Sequence, residues 1–373
     1  MNKKDILELK RRFKKDACTV TRVCGCYVDA DSNKVTTFGE TFLNLEDEEF
    51  YKYLEIAKKI LSGTIGNNIL ELGFSEGDKE KGGRQQFLMG IRESAIKNDE
   101  LMETFYDLVI SSYDYVGNYL ILIFHDAYDV MMKTSDNNKL DESEEVYEYL
   151  LCAICPVTLS KPGLGYREDE NRIGARIRDW VVGVPDTGFV FPAFTDRSTD
   201  IDSVMFYTRD TKNYHEEFME AGLGCNVKLT STKKKQVFDS IVERYFGDDE
   251  EIYAEIQEEL NNRIKEACED LKQDDDMPDL QIMPDDIEKI FYEVGLQEET
   301  ALKAKEQFAC DYEDDYPDAQ QIVDEKEIEK NKQKREVKEL KSLLVESAQE
   351  LKKYGNIELV RKIEEKTGVK AVK

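Results

Sequence analysis

The sequence predicts an α+β protein: a mainly antiparallel sheet with helices packed on it, then an acidic helical segment and a charged helical tail. Three observations predict it. Between residues 117 and 208, apolar, aromatic or β-branched runs occur at 118–132, 146–159, 178–184, 189–194 and 203–208, each bounded by turn residues. On either side of that stretch, apolar residues recur at helical spacing. Charge is also partitioned. Residues 248–320 hold 26 acidic and 6 basic side chains, and residues 321–373 hold 11 and 14, in a chain of net charge −28.

Taken in order, residues 1–15 read as a short charged helix with Ile6, Leu9 and Phe13 on one face. Residues 20–28 read as a strand. The turn cluster Asp29-Ala30-Asp31-Ser32-Asn33 leads to a hairpin partner at 35–38. Asn44 is the expected N-cap of a helix carrying Phe50, Tyr53, Leu54, Ala57 and Leu61, which Gly63 ends. A strand is expected at 68–74 and a Gly/Lys/Glu loop at 77–83, before amphipathic helices at 84–97 and 99–113. The sheet is expected to be covered on one face by these helices. The run Leu120-Ile121-Leu122-Ile123-Phe124 lacks clean alternation and implies a strand buried on both faces. Pro185-Asp186-Thr187-Gly188 reads as a hairpin turn between two strands.

Helices are expected at 213–221, 231–246, 249–272, 285–294 and 298–309. The organisation predicted is a core domain at 1–228, an acidic helical segment at 229–310, a linker at 311–323 and a charged helical tail at 324–373. In the tail, Val337, Leu340, Leu344, Ala348 and Leu351 form one stripe. It serves either a helix folded back on its own domain, the plainer reading, or a docking or self-association surface.

A length of 373 residues is enough for a sizeable core and about two domains. The charged N-terminal residues have no apolar stretch behind them, so no secretory signal is expected. No uncharged apolar run approaches the ~18 residues of a membrane span. Eight cysteines spread along the chain point to reduced thiols and a cytoplasmic protein. The net negative field repels nucleic acid at long range and is compatible with a basic partner, without excluding a local basic patch.

Several segments are familiar as a set. They are Gly117-Asn118-Tyr119-Leu120-Ile121-Leu122 with His125-Asp126, and Cys152-Ala153-Ile154-Cys155-Pro156-Val157 with Lys161-Pro162. Asp179-Trp180-Val181-Val182, Gly188-Phe189-Val190-Phe191-Pro192-Ala193-Phe194 and Asp196-Arg197-Ser198-Thr199 complete it. Over residues 1–320 the chain resembles a family of unknown function from anaerobic Gram-positive bacteria. That family has no established activity, so the resemblance implies no catalytic residues. The helix-and-sheet layout, with Glu216-Glu217-Phe218 and Gly222-Leu223-Gly224-Cys225, is loosely similar to bacterial nucleoid-associated proteins.

Candidate chemistry begins with the cysteines. Cys152 and Cys155 form a C-x-x-C, and Cys24 and Cys26 form a second pair. Four converging thiolates would hold zinc or iron at about 2.3 Å. On a strand, however, positions three apart face opposite sides and lie roughly 10 Å apart, and Pro156 holds Cys155 extended. Core packing is therefore the favoured role, and no metal site or cofactor is predicted unless the four sulfurs converge.

His125 and Asp126 end the most apolar strand and have the chemistry of a metal ligand or general base; ordinary strand-end hydrogen bonding is the commoner outcome. His215 with Glu216 and Glu217 lacks the second histidine of H-E-x-x-H and reads as an exposed helix start. Arg167, Arg172, Arg176 and Arg178 crowd twelve positions, with Lys161 nearby. Their guanidinium forks suit an anion or nucleic acid, against the plainer alternative of pairing with Glu168, Asp169, Glu170 and Asp179. Lys233-Lys234-Lys235 is a less specific basic run. A pocket is conceivable between Trp180, Phe191, Asp196, Arg197 and Ser198, with His125 and Asp126 at its strand end. Phosphate-cradling glycine loops and G-x-S-x-G are absent.

The sequence therefore favours a non-enzymatic interaction protein with a protein partner. The alternatives are a nucleoid- or nucleic-acid-associated protein using the arginine patch, and a thiol- or metal-dependent enzyme using the cysteine pairs.

Overall fold

In the computed structural model the described residues are 2–14, 18–133, 139–168, 171–175, 178–195, 198–270, 280–313, 315–353 and 359–363. The chain forms two compact units, Met1–Lys233 and Lys234–Lys373.

The first unit begins with α1 (Lys3–Arg12). Its N-terminus is closed by a capping box in which Asn2 accepts from the amides of Lys4 and Asp5 while Asp5 accepts from Asn2. A hairpin follows, β1 (Arg22–Val28) and β2 (Lys34–Thr41), then α2 (Asp47–Ile60) and β3 (Ile69–Gly73). Three helices precede the long strands: α3 (Glu76–Lys79), α4 (Arg84–Glu93) and α5 (Asp99–Ser112). The strands are β4 (Asn118–Lys133), β5 (Lys139–Leu159), β6 (Leu164–Arg167), β7 (Arg172–Ala175), β8 (Trp180–Val182), β9 (Thr187–Phe191), β10 (Ala193–Thr195), β11 (Ser198–Asp200) and β12 (Ser203–Thr208). The main sheet runs β2-β1-β4-β5-β9-β12-β3, with β8 also on β5, and every pairing is antiparallel.

Period-two alternation sends residues to two separate cores. Ile121, Ile123, Cys152, Ile154, Phe189 and Phe206 face one side, where Leu88 and Ile91 of α4 and Phe105 and Val109 of α5 meet them. Leu120, Leu122, Phe124, Leu151, Cys155 and Val190 face the other, against Ile6 and Leu9 of α1 and Leu54 and Ile60 of α2. Each fully buried Leu, Ile or Phe stabilises the fold by roughly 1.5–3 kcal/mol. The two-sided burial inferred for residues 120–124 is present. The expected cover on one face is corrected: helices cover both faces, because α1 and α2 return to the side that α4 and α5 leave open.

Four local expectations are also corrected. Residues 42–44 form a 3-10 turn and the N-cap of α2 is Glu46, not Asn44. Phe42 is drawn into the core between Phe50 and Phe124, with ring centroids at 5.0 and 5.9 Å, and this moves the start of the helix. The expected loop at 77–83 contains α3, capped by Ser75. The expected helix at 213–221 starts late, at residue 216, and is π-helical over Phe218–Gly222. Finally, β8 and β9 do not form a hairpin. Both pair with β5, end to end, so Pro185-Asp186 hands the chain along one strand. Gly188 permits this: a Cβ there would collide with the Cys152 carbonyl oxygen.

The second unit is helical: α6 (Ser231–Phe246), α7 (Glu250–Asp270), α8 (Pro284–Glu293), α9 (Glu298–Tyr312), α10 (Ala319–Ile322) and α11 (Glu325–Lys353). Phe238, Ile256, Leu260, Ile290, Phe291 and Phe308 are buried. Lys234, from the basic run, is also buried and pairs with Asp315 at 2.7 Å. Residues 311–323 contain the end of α9 and the buried α10 residues Ala319 and Ile322. Arg335 and Lys338 tie α11 to Glu258 and Glu251 of α7, while Val337, Leu340 and Leu344 of the stripe stay exposed and Ala348 is buried. The Leu351 side chain lies outside the described residues.

Candidate functional site

The four cysteines are separated by the sheet. Cys152 and Cys155 face opposite cores. Cys24 pairs with Ile123, which pairs with Cys152, so those two sulfurs lie two strands, or about 10 Å, apart. Cys26 is two residues, about 7 Å, further along β1. Burial pushes the Cys26 thiol up to about 11 and Cys155 to about 12, and raises Cys152 well above its ordinary value. These are protonated core thiols and do not form the four-thiolate constellation considered from the sequence. Among the described residues no group of three or more His, Cys, Asp or Glu is placed to hold a metal ion.

His125 and Asp126 are neighbours on β4 but point to opposite faces. Thr21 Oγ1 lies 2.7 Å from His125 Nδ1 and Glu148 Oε1 lies 2.8 Å from Nε2, so both ring nitrogens are engaged. Asp126 accepts from the Tyr149 hydroxyl at 2.6 Å and from the Ala127 amide at 2.9 Å. Both ring nitrogens of His125 and both oxygens of Asp126 are thus engaged within the protein.

The pocket expected around Trp180 and Phe191 is not assembled. Trp180 pairs with Leu159 and Phe191 with Leu150, nine positions apart on β5, which is roughly 30 Å. Phe191 is fully buried, edge-on to Phe74 at 5.6 Å, whereas Trp180 is 57% exposed. Ser198 begins β11 and is exposed; Asp196 and Arg197 lie outside the described residues.

The arginine segment forms a separate two-stranded hairpin, β6–β7, inserted between β5 and β8. Arg167 and Arg172 face each other as the last pair of the β6–β7 hairpin, and Arg167 donates to the Ala175 carbonyl at 3.1 Å. Arg178 donates to the Ser160 carbonyl at 2.7 Å and makes no ion pair among the described residues. Arg176 lies outside them. Interleaved with these cations are exposed Leu164, Tyr166, Ile173, Trp180, Val181 and Val182. β8 pairs with β5 on one edge and, among the described residues, has no strand on the other.

A further cluster brings together residues the sequence did not connect. Asp186, in the link between β8 and β9, is buried. It accepts from Arg209 Nη2 at 2.8 Å on one oxygen, and from the Tyr113 hydroxyl at 3.0 Å on the other. His215 Nε2 lies 2.9 Å from that second oxygen. Burial alone would raise the Asp186 carboxyl, but His215, Tyr113 and Arg209 outweigh it and hold it below the ordinary value. Tyr113 is pushed up by its burial and by the charge of Asp186. The reading of His215 as an exposed helix start is corrected: its side chain is 9% exposed, and its ring lies 4.8 Å from that of Tyr113. Its backbone is left-handed, at φ 59°, a conformation uncommon for a non-glycine residue. The cluster borders an open cleft of ≈ 610 Å³. The one available sequence signal was an aspartate flanked by apolar strands.

Among the described residues no helix is long and apolar enough to cross a membrane. No curated protein matches the chain. A family model described as Domain of unknown function (DUF4317) matches residues 1–372, almost the full length, and the chain belongs to that family.

Proposed function

We propose that this is a non-enzymatic interaction protein whose docking surface is the β8 edge with the β6–β7 hairpin, and whose partner is an extended polypeptide segment bearing acidic and apolar side chains. One observation carries this: the edge of Trp180-Val181-Val182 that has no strand partner among the described residues is exposed at all three positions, beside a hairpin that carries exposed Leu164, Tyr166 and Ile173 together with Arg167 and Arg172. An edge strand offers backbone donors and acceptors to an added strand, and exposed side chains on it supply specificity. Residues 161–182 hold five basic and four acidic side chains, a net of +1 in a chain of net −28, so this patch is the place where a partner with acidic residues meets least repulsion. Seven cysteines among the described residues are free, which supports a reducing, cytoplasmic setting.

Trp180 is the sole tryptophan, so its emission reports occupancy of the edge directly. Random twelve-residue peptides displayed on phage and selected against the full chain should enrich extended sequences with alternating apolar and acidic positions. Synthetic versions should blue-shift Trp180 emission, and Val181→Lys should weaken them at least tenfold without changing thermal stability. Enrichment unaffected by Val181→Lys overturns the assignment. Salt-sensitive retention of duplex DNA that Arg178→Ala abolishes, with no peptide enrichment, would assign the patch to nucleic acid instead.

A further inference from the structure

The cleft beside Asp186 has more bonding capacity than the protein uses. Both Asp186 oxygens are occupied, by Arg209 on one and by His215 and Tyr113 on the other. Its carboxylate therefore acts as an anchor that holds a guanidinium and an imidazole at the cleft wall. Arg209 carries five N–H donors, and one bond to Asp186 accounts for its side-chain use; that side chain is 46% exposed. Lys212 and Asn213 also line the cleft, and neither side chain has a protein partner among the described residues. With Nε2 on Asp186, His215 Nδ1 has no protein hydrogen bond among the described residues.

Two carboxylates stand nearby besides Asp186. Asp210 is turned into its own loop, where it accepts from the backbone amides of Lys212 at 2.9 Å and Asn213 at 3.4 Å. That bonding shapes the loop that presents both side chains. Asp114 is exposed on the rim. The strained backbone at His215 is held in place because its carbonyl accepts from the amides of Phe218 at 3.0 Å and Met219 at 3.2 Å. Left-handed non-glycine residues persist where surrounding structure over-determines them, and they concentrate at ligand sites.

We propose that this cleft is an oxyanion site, which takes a small molecule through a phosphate or carboxylate group held by Arg209, Lys212 and Asn213 beside His215. An anchored guanidinium is pre-organised for such a group, and an ammonium adds charge with no geometric demand. Asp114 opposes the ligand's charge from the rim and limits affinity. The site is separate from the β8 surface and does not depend on its role.

The chain has two histidines, so an imidazole NMR spectrum contains an internal control. Inorganic phosphate and succinate, each titrated at constant ionic strength, should shift the His215 signals saturably and leave His125 in place. Whichever anion binds tighter identifies the source of the oxyanion. Lys212→Ala should weaken binding at least threefold and Asp114→Asn should tighten it about threefold; both positions are exposed, so the fold is kept. A purely structural cluster predicts no such opposed pair. Absence of a saturable His215 shift with either anion, or shifts indifferent to both substitutions, would overturn the assignment.

Discussion

The two histidines have comparable burial and a carboxylate each, and are used differently. His125 lies near the middle of β4 and His215 just before the π-helical turn; each is mostly buried and each has a carboxylate within 3 Å. Around His125, Thr21 and Glu148 take both ring nitrogens, and the neighbouring Asp126 is closed by Tyr149. Around His215, one nitrogen is anchored on Asp186 and the other is left over, beside a guanidinium with donors to spare. Proximity of a histidine to a carboxylate is thus no signature of a site. What separates a structural cluster from a binding one is how many hydrogen-bonding positions remain after the protein has met its own needs.

The sharpest way to break this comparison is to remove the anchor. Asp186→Ala leaves the buried Tyr113 hydroxyl and the His215 ring without their common acceptor and should destabilise the protein by roughly 2–4 kcal/mol, measured by urea unfolding. His125→Ala should cost less, about 1–2 kcal/mol, because water can reach its partners Thr21 and Glu148, and it should leave oxyanion binding at the other cluster unchanged.

Acid titration sharpens the contrast further. The folded-state pKa of Asp186 lies below the ordinary 3.8, so its carboxylate stabilises the fold fully above that value. The contribution is lost as pH falls through the depressed folded value. Stability measured from pH 5 downward should therefore drop more steeply in the wild-type protein than in Asp186→Asn, and equal slopes would contradict the anchored carboxylate.

The smallest expected effect concerns the cysteines. At pH 8 an aromatic disulfide reagent should modify exposed Cys310 rapidly, while Cys152, Cys155 and Cys225 stay protected, the last pushed up by burial to about 12. Cys310→Ser should remove one fast equivalent, and unfolding in urea should release all eight thiols.

Much of the fold was legible because it rests on local periodicity. The stripe Ile6, Leu9 and Phe13 places α1 on the sheet, and Leu120 to Phe124 announce a strand with two buried faces. The spacing of Cys152 and Cys155 already puts the sulfurs on opposite sides, since side chains alternate along any strand. Failures came where a tertiary contact overrode a local signal. Pro185-Asp186-Thr187-Gly188 has the composition of a hairpin turn, but both flanking strands find the same partner, β5, and the turn becomes a straight link. Asn44 is a good cap by composition, but burial of Phe42 against Phe50 and Phe124 outweighs a cap worth about 1 kcal/mol.

The candidate site was the least legible part. Tyr113, Asp186, Arg209 and His215 span more than a hundred positions and come from three connections, so no single motif spacing links them. The arginine segment could be found, because its unusual feature is composition: four guanidinium groups in twelve residues of an acidic chain.

By itself the sequence determined the α+β class, the two-sided burial of the central strands and the separation of charge, because periodicity and composition are local properties. Only the tertiary structure decided that both faces are covered, that β8 is an open edge, and that Asp186 gathers Tyr113, Arg209 and His215 beside a cleft. Those outcomes depend on which distant backbone groups pair, and on which polar atoms remain unused once they have, and neither is encoded at any single position.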